Sequence, residues 1–254
     1  GNTITTGSSN VAVGTSSALG AATTLNTIVG ASAGAATIGD NNTAVGANTL
    51  NSAAAAVTDI VAIGTNALTD ALTVGANGTV AVGTSALTAL TSGASNTAMG
   101  RNAGASITTG SSNTVIGHTS ASAATASNNT IVGATTGSTA LGDNNTALGT
   151  NTLNSPAAAV TDIVAIGTNA LTDAITANGT VAVGSSALVA LTTGATNTAI
   201  GSTAGSTITT GSSNTLVGHT TASAATASNN TIVGATAGST ALGSNNTPVG
   251  TNTL

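Results

Sequence analysis

The chain has no cysteine, no phenylalanine, tyrosine or tryptophan, and no glutamate or lysine. Its 254 residues carry one arginine (Arg101), two histidines and six aspartates, so the formal net charge is −5 and charged residues make up 3%. About 25% is usual for a soluble domain. Each absence closes a class of function. A single arginine cannot build the basic surface that a phosphate backbone requires, so nucleic acid is not an expected partner. Without cysteine there is neither a disulfide framework nor a thiolate metal site. No run approaches ~20 uninterrupted apolar residues, so membrane insertion by this segment is not expected. No charged stretch followed by an apolar one marks a signal peptide. The chain starts and stops inside its own repeat, as expected of a piece of something longer or of processed ends.

Glycine, alanine, threonine, serine and asparagine fill most positions. Low charge combined with low hydropathy signals disorder. Here the mean hydropathy is +0.38, and Val, Ile and Leu recur at fixed spacing, which favours a folded array. The stretch NNTAVGANTLNS (residues 41–52) returns as NNTALGTNTLNS (144–155) and as NNTPVGTNTL (245–254). Glycine closes each apolar motif at 15 places, from Gly14 to Gly250. The steps between them, roughly 16–19 residues each, are regular enough to mark a repeat architecture. A longer period lies on top: TITTGSSN at 3–10 recurs as SITTGSSN at 106–113 and as TITTGSSN at 207–214. Six-coil blocks at about 1–103, 104–204 and 205–254 (the last partial) describe one continuous repeat domain over 1–254.

Aligned on that glycine, four columns stand out. The position just before it is Val13, Val29, Val45, Ile63, Val82, Met99, Ile116, Val132, Leu148, Ile166, Val183, Ile200, Val217, Val233 and Val249. Two before it is mostly alanine, with larger residues at Ile28, Val115, Ile131, Leu216 and Ile232. Three before it is threonine in ten coils, broken by Val61, Val80, Val164 and Val181. Four before it is asparagine in eleven: Asn10, Asn26, Asn42, Asn96, Asn113, Asn129, Asn145, Asn197, Asn214, Asn230 and Asn246.

So much glycine makes a poor helix. Val, Ile and Thr bounded by Gly and Asn read as short strands and turns, and Asn77-Gly78 and Asn178-Gly179 add turn signals. The fold expected is all-β: a parallel β-solenoid, or β-roll, of about 15 coils, each of roughly 16–19 residues. A second short strand is expected at TIT before Gly7 and at TAL before Gly142. Coils about 4.8 Å apart give a rod roughly 65–70 Å long. The Val/Ile column is expected to form the core and the Asn column an amide ladder. The opposite strand face, with its small alanines, is expected to meet a neighbouring chain.

At VAIGTNAL (residues 61–68), VAVGTSAL (80–87) and NTALGTNTL (145–153) the pattern resembles the head repeats of YadA-type trimeric autotransporter adhesins. It is also similar to the NTAxGxxAL arrays of bacteriophage tail fibres. The resemblance implies a parallel β-roll, usually trimeric, carried outside a cell or on a virion and used for attachment. The adhesin repeat is commonly shorter than this one, and no stalk, anchor or self-cleaving chaperone segment is seen here. A homo-oligomer is expected, with three chains favoured by the resemblance and a host-surface or glycan receptor as a further partner.

Chemistry has little to stand on. His118 and His219 occupy equivalent places six coils apart and read as polar turn residues. The aspartates pair by block, Asp40 with Asp143, Asp59 with Asp162 and Asp70 with Asp173, outside any calcium-repeat pattern. They read as turn caps. No catalytic, cofactor-binding or metal residue is assigned, no cofactor is expected, and the chain reads as a non-enzyme. Seven Asn-x-Thr sequons, at Asn41, Asn77, Asn128, Asn144, Asn178, Asn229 and Asn245, are what an Asn- and Thr-rich chain produces by composition. The expected function is a structural segment of an extracellular fibre or surface adhesin. The alternatives are an ice- or carbohydrate-binding solenoid and a self-assembling extracellular filament. The threonine column motivates the ice reading, and its sharing a face with the expected core column weighs against it.

Overall fold

The structure is a computed structural model, and it describes residues 7–17, 22–34, 37–121, 126–137, 141–157, 159–173, 175–221, 227–238 and 242–253. The chain divides into two compact units, Gly1–Asn129 and Thr130–Leu254. That division falls inside a coil rather than at a block boundary.

The first unit holds seven three-residue strands: β1 Val11–Val13, β2 Thr27–Val29, β3 Thr43–Val45, β4 Val61–Ile63, β5 Val80–Val82, β6 Thr97–Met99 and β7 Thr114–Ile116. Each pairs in parallel with the next in chain order. The second unit repeats the arrangement with β8 Thr130–Val132, β9 Thr146–Leu148, β10 Val164–Ile166, β11 Val181–Val183, β12 Thr198–Ile200, β13 Thr215–Val217 and β14 Thr231–Val233. These also pair in parallel, in order. One strand per coil, each hydrogen-bonded to its equivalent in the next, makes a parallel β-solenoid. The fifteenth motif contributes only a single bridge, Val233 to Val249. Its middle residue is Pro248, which has no N–H to give to a ladder.

Register never drifts. Val45 sits opposite Ile63 and Ile63 opposite Val82, although the second of those steps is the longer and both exceed the step from Val29 to Val45. The extra residues are absorbed in the segment far from the strand, where a short 3-10 turn forms at Val74–Ala76.

The second strand of each coil does not form among the described residues. It reduces to one bridge, Leu141 to Val160, while residues 3–5 and Thr139-Ala140 lie outside the described set. Past the motif glycine, the described residues two and four further on adopt left-handed backbone, as at Asn48 (φ 53°) and Leu50 (φ 51°), or Asn66 (58°) and Leu68 (51°). Two such residues end the extended run of the strand and turn the chain ahead of the place expected for the second one. Coil-to-coil bonding continues there without a strand, for example from Thr91 N–H to Thr108 O at 2.8 Å.

The asparagine column lies inside the coil and is almost fully buried from Asn26 to Asn230. Asn42 shows how it is satisfied. Its backbone N–H donates to Asn26 Oδ1 at 2.8 Å, and its Nδ2 donates to Gly39 O at 3.0 Å and Val57 O at 2.9 Å. Its own Oδ1 accepts the N–H of Ile60 at 3.0 Å. In the second unit Asn214, Asn230 and Asn246 each donate a backbone N–H to the preceding Asn Oδ1 at 2.9–3.0 Å. The Asn42 side chain thus ties the turn of its own coil to the next, and its backbone is tied in the same way by the Asn26 side chain of the coil before; such pairing offsets the cost of burying an amide.

Strand alternation then fixes the rest. With the residue four before glycine inside, the residue two before it is inside too. Ile28, Ala44, Ala62, Ala81, Ala98, Ala147 and their equivalents are buried, apart from Ala12 in β1, which is exposed. The column expected in the core faces out. Val13, Ile63, Met99, Leu148, Ile200, Val233 and Val249 are exposed, with Met99 at 48%. Val29, Val45, Val82, Ile116, Val132, Ile166, Val183 and Val217 are half-buried. The alanines expected to meet a neighbour are the interior.

The core compensates for small alanines by trading volume within each coil. Where the residue two before glycine is alanine, the residue four after it is often leucine, as in Ala62 with Leu68 and Ala147 with Leu153. Where it is isoleucine, the later position is glycine, as in Ile131 with Gly137 and Ile232 with Gly238. A Cβ placed on Gly137 would lie 3.4 Å from Ile131 Cδ1, so the two positions share one space. At Ala98 with Gly104 the space goes instead to Ile107 and to Leu87 of the preceding coil, whose side chains a Cβ on Gly104 would meet at 3.0 and 2.8 Å.

Candidate functional site

Each unit presents one outward strand face. On it the column three before glycine (Val11, Thr27, Thr43, Val61, Val80, Thr97 and Thr114 in the first unit) runs beside the column one before it. All of these side chains are exposed or half-buried. A three-residue strand builds each coil of it, and successive strands pair without offset. It contains no ionisable residue. An ordered, uncharged array of methyl groups and hydroxyls repeats along it at about 4.8 Å, the spacing of neighbouring strands.

The ionisable residues stand elsewhere. Arg101 and His118 follow motif glycines in adjacent coils of the first unit, and an Arg101 guanidinium N–H donates to His118 Nε2. His219 in the second unit has its Nδ1 2.9 Å from the Thr220 hydroxyl. Asp40 Oδ1 accepts the N–H of Thr24 at 2.7 Å. Asp59 accepts from Asn41 Nδ2 at 3.3 Å and from the Thr58 hydroxyl at 3.0 Å. In the second unit Asp162 accepts from Asn144 Nδ2 at 3.4 Å. These are turn and corner contacts, some between coils and some, as at Asp59 with Thr58 and His219 with Thr220, between sequence neighbours. Among the described residues no three His or Asp side chains gather into a metal-sized cluster, and no pocket opens.

The outward face was hidden in the sequence by its own hydrophobicity, since a column of Val and Ile reads as core. The signal that places it outside is the volume exchange between the alanine column and the leucines that follow, because residues that trade volume must share an interior.

No protein-family model matches the chain, and no curated protein matches it.

Proposed function

We propose that the chain is a structural segment of an extracellular fibre or surface adhesin, a stiff shaft carried on a cell surface or virion. In this reading, copies of the chain associate through the outward strand face, with three chains favoured by the resemblance to trimeric adhesin heads. The observation that carries it is the uninterrupted aliphatic column of that face, from Val13 to Ile116 in one unit and from Val132 to Val233 in the other. Monomeric soluble proteins rarely leave such contiguous apolar surface uncovered, and large exposed patches mark interfaces. Coils that bond only to their neighbours suit a mechanical role, because each adds the same increment of stability. Sedimentation equilibrium over a wide concentration range tests the reading. It expects a mass about three times the 23.2 kDa of the chain. A single-chain mass at every concentration overturns it.

A second reading is favoured by one observation: the threonine column shares the outward face with the aliphatic column instead of lying against the core. Hydroxyls and methyls set in a regular array are the chemistry with which a protein surface orders water into ice. This reading expects a single-chain mass together with inhibition of ice recrystallisation, and an assembled protein inactive towards ice removes it.

A further inference from the structure

The outward face departs from its Thr-x-aliphatic pattern over two consecutive coils in each unit. In nine of the strands the outward pair begins with threonine. In β4 and β5 it is wholly aliphatic, with Val61, Ile63, Val80 and Val82; in β10 and β11 it is Val164, Ile166, Val181 and Val183. β1 also begins with valine, and β2 after it returns to threonine. Inside the same coils the asparagine column lapses to Ile60 and Thr79, and to Ile163 and Thr180, all buried. The Thr79 and Thr180 hydroxyls are buried without a hydrogen-bond partner. The two coils therefore differ from their neighbours on both sides at once.

A ladder of like coils has an alignment problem. Two copies laid face to face lose little by slipping one coil, since weakly patterned strands specify register poorly. The aliphatic pairs remove that indifference. When copies stand level, valine meets valine and threonine meets threonine, and facing hydroxyls can bond each other. A slip sets the threonines of β3 or β6 against Val61 or Val80, burying hydroxyls with no partner, which is unfavourable. We propose that these two-coil aliphatic patches are alignment keys that fix the height at which copies of this chain dock.

The occupant of the face is argued from three properties. Its pitch is that of a β-ladder, which another such ladder matches along its whole length. It bears no charge, so it offers nothing to an acidic or basic partner. Its extent within each unit is that of an interaction patch: seven strands at about 4.8 Å, each about 10 Å wide, give roughly 340 Å² of apolar face. The proposal rests on the self-association reading above. In a cyclic assembly, copies related by rotation alone stand level.

The test replaces all four valines with the residue found in the other coils: Val61→Thr, Val80→Thr, Val164→Thr and Val181→Thr. These positions are half-buried and outward, so the fold accepts threonine there as it does at Thr43 or Thr97. The chain has no cysteine, so Thr84→Cys, at an exposed corner, gives one spin label per chain. In the parent, pulsed electron resonance is expected to show a single set of inter-chain distances for level copies. In the valine-to-threonine variant the mass stays the same, but the distances spread into a series whose heights differ by multiples of about 4.8 Å. A variant of unchanged mass that keeps the parent's single distance overturns the alignment role and leaves self-association standing. So does a variant that falls to single chains while the parent stays assembled, because the patches would then supply affinity rather than alignment. A parent that remains at the mass of one chain overturns both readings.

Discussion

At Gly100 the backbone has φ +131°, and a Cβ built there would lie 2.5 Å from the carbonyl oxygen of Gly117 in the next coil. Two separate constraints therefore exclude any other residue. The dihedral belongs to a region that only glycine occupies without strain, and the coils touch backbone to backbone. Relieving the clash would mean opening the ladder, which would pull on the strand pairing of β6 and β7. Gly100→Ala is expected to lower unfolding free energy by about 2–4 kcal/mol. Denaturant titration followed by far-ultraviolet circular dichroism measures it, since the chain has no aromatic residue to report tertiary structure.

Within the coil, the exchange of volume between strand and corner makes a sharper prediction. Ile131→Ala alone empties buried space and should cost about 2–5 kcal/mol. Gly137→Leu alone overfills it, at about 1–3 kcal/mol. The left-handed backbone is no obstacle, since Leu50, Leu68 and Leu153 adopt it at equivalent places. Combined, the two changes rebuild the pairing of Ala62 with Leu68, and stability should return to within about 1 kcal/mol of the parent, a coupling that a double-mutant cycle on the melting curves reads directly. The same coil shows what could be read from the sequence. Strand positions and register were legible because glycine and asparagine punctuate every coil. The side on which each column lies was not, because Val45 and Ile63 are larger and more apolar than Ala44 and Ala62 and so read as interior. What decides the matter is the buried amide of Asn42, bonded to the backbone of neighbouring coils, together with the volume trade, and both outweigh hydropathy. The tight turn after each strand was hidden for another reason: nothing in a leucine announces a φ of 51°, as at Leu50.

For the chain as a whole, scarcity of charge sets the response to its surroundings. With one arginine and six aspartates in 254 residues, cohesion within each unit comes from backbone ladders, amide bonds and buried aliphatic groups, which dissolved ions screen little. Raising sodium chloride from about 0.05 to 0.5 M should therefore move the melting midpoint by no more than about 2–4 °C, the shift expected of a stability change near 1 kcal/mol. A larger shift in a calorimetric scan would mean that the few ionic contacts, such as Arg101 with His118, matter more than their number suggests. The constancy of register across coils of unequal length reaches beyond stability, into heredity. A whole coil can be gained or lost by unequal crossing-over between near-identical stretches of gene, and the turns on either side still meet squarely. Size thus becomes a trait that recombination can adjust in single steps, without any compensating substitution elsewhere.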